Sequence, residues 1–159
     1  MPTQPILSRM AIRGHPIHPL LIHFPVAALI GLVGTDLGYL FTGDPFWARA
    51  SVWLVGVGMA GGWMSGIVGL LDLSSVYRIR RLVAAWCHGI IAVMLLSLAT
   101  LNWLLRVTDD PAAVIMPWGL YLTLLSGLLV AVTGALGGQL VYEYGVAVDI
   151  EEVVKRGTR

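Results

Sequence analysis

Three of the four histidines crowd into one stretch, Gly14-His15-Pro16-Ile17-His18-Pro19-Leu20-Leu21-Ile22-His23-Phe24-Pro25, and the fourth, His88, stands far downstream. Imidazole ligates transition metals and haem iron and exchanges protons near neutral pH. His23 follows Pro19 by four residues and His88 follows Leu82 by six. On helices entering from one side of a membrane they would sit roughly 6 and 9 Å deep, at about 1.5 Å per residue. Two imidazoles at matched depth on two helices of a bundle can hold a haem iron from above and below its ring. His18 competes with His23 for the first position, because Pro16 and Pro19 interrupt regular helix and leave its direction unreadable.

A porphyrin also needs room and cations for its propionates, and Arg78, Arg80 and Arg81 offer charge-assisted hydrogen bonds on the same side. Other readings of the histidines stay open. Prolines at positions 16, 19 and 25 leave carbonyls without donors, which nearby imidazoles could satisfy; His15, nearest the water, fits that role best. A copper or zinc site from His15, His18 and His23, with or without His88, is a further possibility. Its spacings match no zinc pattern, and the sole cysteine, Cys87, lies beside His88 on a different helix face. Nothing in the sequence marks a substrate pocket or an acid–base pair.

The elements that must position these side chains follow from composition. Of 159 residues 57% are apolar and 12% charged, with a mean hydropathy of +0.82, whereas a soluble domain carries roughly 25% charged residues. So little charge cannot cover a water-facing surface, so lipid must do so. The same numbers exclude a disordered chain, a nucleic-acid binder (net charge +1) and a disulfide scaffold (one cysteine).

Four runs are long enough to span a bilayer, about Leu20–Phe41, Ala50–Leu71, Val83–Leu105 and Pro117–Val141. Turns at Thr42–Pro45 and Thr108–Pro111 and a basic stretch at Ser74–Arg81 separate them. The first run is too long for the core of a cleaved signal peptide. The expected fold is an all-α integral membrane four-helix bundle: an N-terminal segment 1–13, the transmembrane domain 14–144 and a tail 145–159. Arg9, Arg13, Arg78, Arg80, Arg81, Lys155, Arg156 and Arg159 share one side, against Arg49 and Arg106 on the other. That bias predicts both termini in the cytoplasm.

Within the spans, Asp36 is expected to pair with Arg106 near the outer face, and Asp72 with one of the middle-loop arginines. Gly34 and Gly38, Gly58, Gly62 and Gly66, and Gly134 and Gly138 predict close approach of helices or of a flat ring. Trp63 and Trp86 lie deep enough to stack on a cofactor or to fill the core. Asp149 and Glu152 have the spacing of a capping box.

The Gly14–Pro25 run, Gly43-Asp44-Pro45-Phe46-Trp47, Gly69-Leu70-Leu71-Asp72, His88 and the closing Gly137-Gly138-Gln139-Leu140-Val141-Tyr142-Glu143-Tyr144-Gly145-Val146 resemble a bacterial family of four-span membrane proteins of unknown function. The likeness runs from about Gly14 to Val148. Family members often occur beside or fused to Rieske iron–sulfur or cytochrome domains, and the bundle is similar to membrane b-type cytochromes. The resemblance therefore implies a redox setting in the bacterial inner membrane and a membrane or redox protein partner. The chain departs from the family pattern at Gln139, often glutamate, and Tyr144, often histidine. The resulting expectation is a subunit with one haem b on His23 (or His18) and His88, relaying electrons. The alternative is a non-haem accessory subunit that packs through its glycine faces.

Overall fold

The computed structural model describes residues 5–148. A short antiparallel hairpin, β1 (Ala11–Ile12) and β2 (His15–Pro16), leads into α1 (Ile17–Thr42), followed by α2 (Pro45–Ser75), α3 (Tyr77–Arg80), α4 (Val83–Arg106), α5 (Ala112–Val114) and α6 (Leu120–Tyr142). Arg13 and Gly14 turn the hairpin with φ of 51° and 81°, the left-handed pair that a two-residue β-turn needs. Four helical stretches are long and apolar enough to cross a membrane. They run past the expected ends where local chemistry allows.

The α1–α2 junction forms as its residues dictate. Gly43 closes α1 at φ 67° with its N–H on the Tyr39 carbonyl, and the Asp44 side chain accepts from the Phe46 N–H at 2.8 Å, with Pro45 behind it. A left-handed glycine stop, an aspartate cap and a proline in the first turn are the usual signals for ending one helix and starting the next. The fourth span is broken instead. Met116, forced towards extended backbone by the following Pro117, stands at φ −109° and ψ 136°, so a wide turn over Ile115–Gly119 separates α5 from α6.

α1 packs against α2 and α6, and α4 packs against the same two. Helices α1 and α4 therefore face each other across one diagonal of the bundle, and α2 and α6 across the other. The outward faces carry large apolar side chains, among them Phe24, Trp53 and Val83 at 73–76% exposure. An exterior this apolar requires hydrocarbon around it. Inside, Leu29, Leu32, Val55, Leu95, Ala99 and Val130 form the central core.

The interior repeats. His18 and His88, Pro25 and Leu95, Leu29 and Ala99, Leu32 and Asn102, and Asp36 and Arg106 are each 70 positions apart, on the inward stripes of α1 and α4. On α2 and α6 the offset is 68: Ser51 and Gly119, Val55 and Thr123, Gly58 and Ser126, Gly62 and Val130, Ser65 and Thr133. The two hairpins, α1–α2 and α4–α6, thus use equivalent positions to build one core, as parallel repeats related by an axis along the bundle do.

Candidate functional site

The strongest cluster of chemistry-bearing groups lies at the end of the bundle where α1 begins. His18, the second residue of α1, and His88, on the second turn of α4, meet across the diagonal with ring centres 6.3 Å apart and planes at 86°. Each ring is fixed from behind. His18 Nδ1 lies 2.8 Å from the Ser65 carbonyl and 3.0 Å from Ser65 Oγ, and His88 Nδ1 lies 3.0 Å from the Thr133 carbonyl. A carbonyl only accepts, so in its neutral form each ring carries its proton on Nδ1 and presents Nε2 as the free acceptor. Histidines that ligate metals are held in this way by their outer partners, which set the tautomer and ring direction.

Ser65 and Thr133 are equivalent positions on the following helices, and one turn beyond each stands a glycine under the ring. A Cβ at Gly69 would lie 3.1 Å from His18 Nδ1, and one at Gly137 would lie 3.4 Å from His88 Cε1. The fold therefore makes the same half-site twice: imidazole, carbonyl and glycine floor.

His23 is not part of this cluster. Five residues beyond His18, it turns to the exposed face of α1 beside Phe24; His15 is exposed on β2. The first-turn proline at 19 and the internal one at 25 leave α1 helical from Ile17. The stripe His18, Pro25, Leu29, Leu32 and Asp36 is thus legible by ordinary helical spacing once the helix is started there. Among the described residues no group of three or more metal-ligating side chains comes together.

Arg78, Arg80 and Arg81 stand at the same end as the histidine pair, but all three are exposed. Arg78 donates to the Pro5 carbonyl and Arg80 to the Ser74 carbonyl, while Arg80 and Arg81 both lie over the Tyr77 ring. The tryptophans are likewise engaged elsewhere: Trp63 donates to Thr100 Oγ1 at 3.1 Å and Trp86 to the Arg80 carbonyl at 2.9 Å.

Asp72 does not take a middle-loop arginine as its hydrogen-bond partner. Its nearly buried carboxylate receives Ser8 Oγ and the backbone N–H groups of Arg9 and Met10, both at 2.9 Å. Sequence reasoning placed Asp72 beside the basic loop without seeing that the segment before α1 folds back across the bundle end. Ile6 in that segment is bracketed by the Gly145 carbonyl and the Ala147 N–H, and it caps a small core with Leu73, Ile79, Ala85 and Leu140. The described parts of the two terminal segments therefore close this end together; the expected Asp149–Glu152 capping box lies outside the described residues.

At the opposite end, Asp36 and Arg106 pair as expected, within a set that sequence reasoning missed. Arg106 Nη1 and Nη2 each lie 2.7 Å from an oxygen of Asp36, Nε donates to Asn102 Oδ1 at 2.7 Å, and Nη2 also reaches Thr123 Oγ1 at 3.0 Å. Ser51 donates to Asp36 Oδ1 at 2.7 Å. One residue or more from each of the four helices meets here, all fully buried. Pairing and saturation are what let a charge persist away from water.

The glycine pattern is resolved by position. A Cβ at Gly58 or Gly62 would strike Leu29 at 2.6 Å or Leu96 at 2.2 Å, so these glycines admit core side chains rather than a neighbouring backbone. Gly34 and Gly134 have open space around them.

Residues 14–150 match a family described as predicted membrane protein (DUF2231). No curated protein and no solved structure matches the chain.

Proposed function

Since the chain belongs to the DUF2231 family of predicted membrane proteins, whose description names no activity, we propose a function from its own interior: a membrane redox subunit that holds one b-type haem between His18 and His88 and relays electrons to or from a protein partner. The observation that carries this reading is the pair of imidazoles, 6.3 Å apart, both with Nδ1 tied back to a carbonyl. Two imidazoles on opposite sides of one ion, each about 2 Å from it, have ring centres roughly 6 Å apart. Two protein ligands also suit a porphyrin, which brings four nitrogens of its own, better than a bare tetrahedral ion, which would lack two ligands.

When bound, haem carries one electron by cycling between ferric and ferrous iron. The chain's own residues supply the rest. Ser65 and Thr133 hold the rings through Nδ1, Gly69 and Gly137 leave them room beside α2 and α6, and the strap of residues before α1, which carries Ile6, covers this end of the bundle. The excess of Lys and Arg on the histidine side favours a cytoplasmic orientation for that end.

The test is the reduced-minus-oxidised spectrum of protein purified in mild detergent after expression with ample haem. Soret and alpha bands of a bis-imidazole haem are expected. Their absence would sink the reading and leave the accessory-subunit alternative.

A further inference from the structure

Two exposed guanidiniums, Arg80 and Arg81, make a site of their own, and it does not rest on the haem reading. Arg80 and Arg81 both place Cζ 5.7 Å from the centre of the Tyr77 ring. A ring that draws two cations to itself brings their guanidiniums together, and contact with a ring face leaves N–H edges available to an anion. Among the described residues Arg80 donates one hydrogen bond, to the Ser74 carbonyl at 3.2 Å, and Arg81 rests against the ring.

The surroundings are apolar and exposed: Tyr77 at 62%, Val83 at 76%, Trp86 at 47% and Ile90 at 58%. Trp86 has its N–H taken by the Arg80 carbonyl, so the ring it presents outward is hydrocarbon-like. Val83, Trp86 and Ile90 follow one another at three- and four-residue spacing along the outward face of α4, from its first turn into the span. Cations at a span end, framed by tyrosine and tryptophan, lie at headgroup level, and the apolar track leads from them into the hydrocarbon. At the other end of the bundle the exposed charges of the loops are mostly acidic, Asp44, Asp109 and Asp110 beside Arg49.

We propose that Arg80, Arg81 and Tyr77 bind the phosphate of an anionic phospholipid, with Val83, Trp86 and Ile90 taking its acyl chain. The guanidinium fork matches phosphate geometry, which distinguishes this site from a general basic surface. A soluble phosphate compound would satisfy the cations alone and leave the apolar track uncovered.

The experiment uses the full chain in mild detergent and reads the lipid-dependent rise in melting temperature and the lipid adducts retained in native mass spectrometry. Phosphatidylglycerol is expected to stabilise and to remain bound, phosphatidylcholine to do so far less, and inorganic phosphate at equal concentration to do nothing. Arg81→Gln and the double change Arg80→Gln/Arg81→Gln should weaken phosphatidylglycerol binding by about fivefold per guanidinium removed. Both residues are exposed, so the variants should fold. Equal responses to the two lipids, an undiminished response in the double variant, or full stabilisation by inorganic phosphate would each overturn the proposal.

Discussion

Arg106 grips both carboxylate oxygens of Asp36 at 2.7 Å, and no part of either side chain reaches the surface. The two residues hold equivalent positions in the paired hairpins, so one site of the repeat carries the anion and its counterpart the cation. Breaking a buried pair by removing one partner leaves the other charge stranded.

Asp36→Asn or Arg106→Gln should therefore lower stability by about 3–5 kcal/mol, read as the shift of a reversible unfolding transition in mixed micelles. The exchange Asp36→Arg/Arg106→Asp should recover a large part of that loss, since each residue moves to the equivalent place opposite the other. An exchanged variant no better than the single changes would argue against the equivalence of the two hairpins.

His18→Ala and His88→Ala should each abolish the bis-imidazole spectrum of haem-loaded protein, while His23→Ala should leave it intact, because His23 points out of the bundle. The opposite pattern, loss with His23→Ala and retention with His18→Ala, would show that the ligating helix face is misassigned.

Glycine substitutions should sort by what an added methyl meets. At Gly119 it would lie 2.6 Å from the Val114 carbonyl oxygen and 2.9 Å from Arg106 Nη2, a rigid backbone atom and a saturated ion pair. Gly119→Ala should cost about 1–3 kcal/mol, the range for overpacking, whereas Gly34→Ala and Gly134→Ala, with nothing within 4 Å, should be close to neutral. Thermal unfolding of the three variants in one detergent makes the comparison.

Asp72→Ala removes the acceptor for Ser8, Arg9 and Met10. Stranding these donors is expected to cost about 1–3 kcal/mol and, more specifically, to raise hydrogen exchange at residues 8–12 while α2 stays protected. Unchanged exchange in that segment would mean the strap is held by Ile6 alone.

Much of this molecule is legible from apolar run length. Four spans, the turn at Thr42–Pro45 and the Asp36–Arg106 pair all follow from residue type and depth, because lipid leaves a helix few ways to satisfy its polar groups. The histidine partner was harder. Pro16 and Pro19 beside His18 suggest broken helix, yet a proline in the first turn removes no bond that the helix uses, so His18 sits on the same inward stripe as Asp36. The carbonyls of Ser65 and Thr133 carry no sequence signature, since any residue offers a carbonyl. The repeat escaped because the equivalent positions share burial rather than identity: Asp36 answers to Arg106, Leu32 to Asn102, Gly58 to Ser126. The fold-back of residues 5–16 depends on the Asp72 carboxylate and on the seat of Ile6 against Leu73, Ile79, Ala85 and Leu140, all far along the chain, which no local pattern announces.

The central core has a last consequence. Eighteen residues separate His18 from Asp36, and His88 from Arg106, a rise of about 27 Å, close to the roughly 30 Å of a bilayer's hydrocarbon layer. The inward stripes between these levels are filled mainly by Leu29, Leu32, Val55, Leu95, Ala99 and Val130, and Ser126, buried there, has no hydrogen-bond partner among the described residues. Among the described residues this column holds no titratable side chain. In the role proposed for them, the two imidazoles would therefore exchange protons at their own end of the bundle and not through its length.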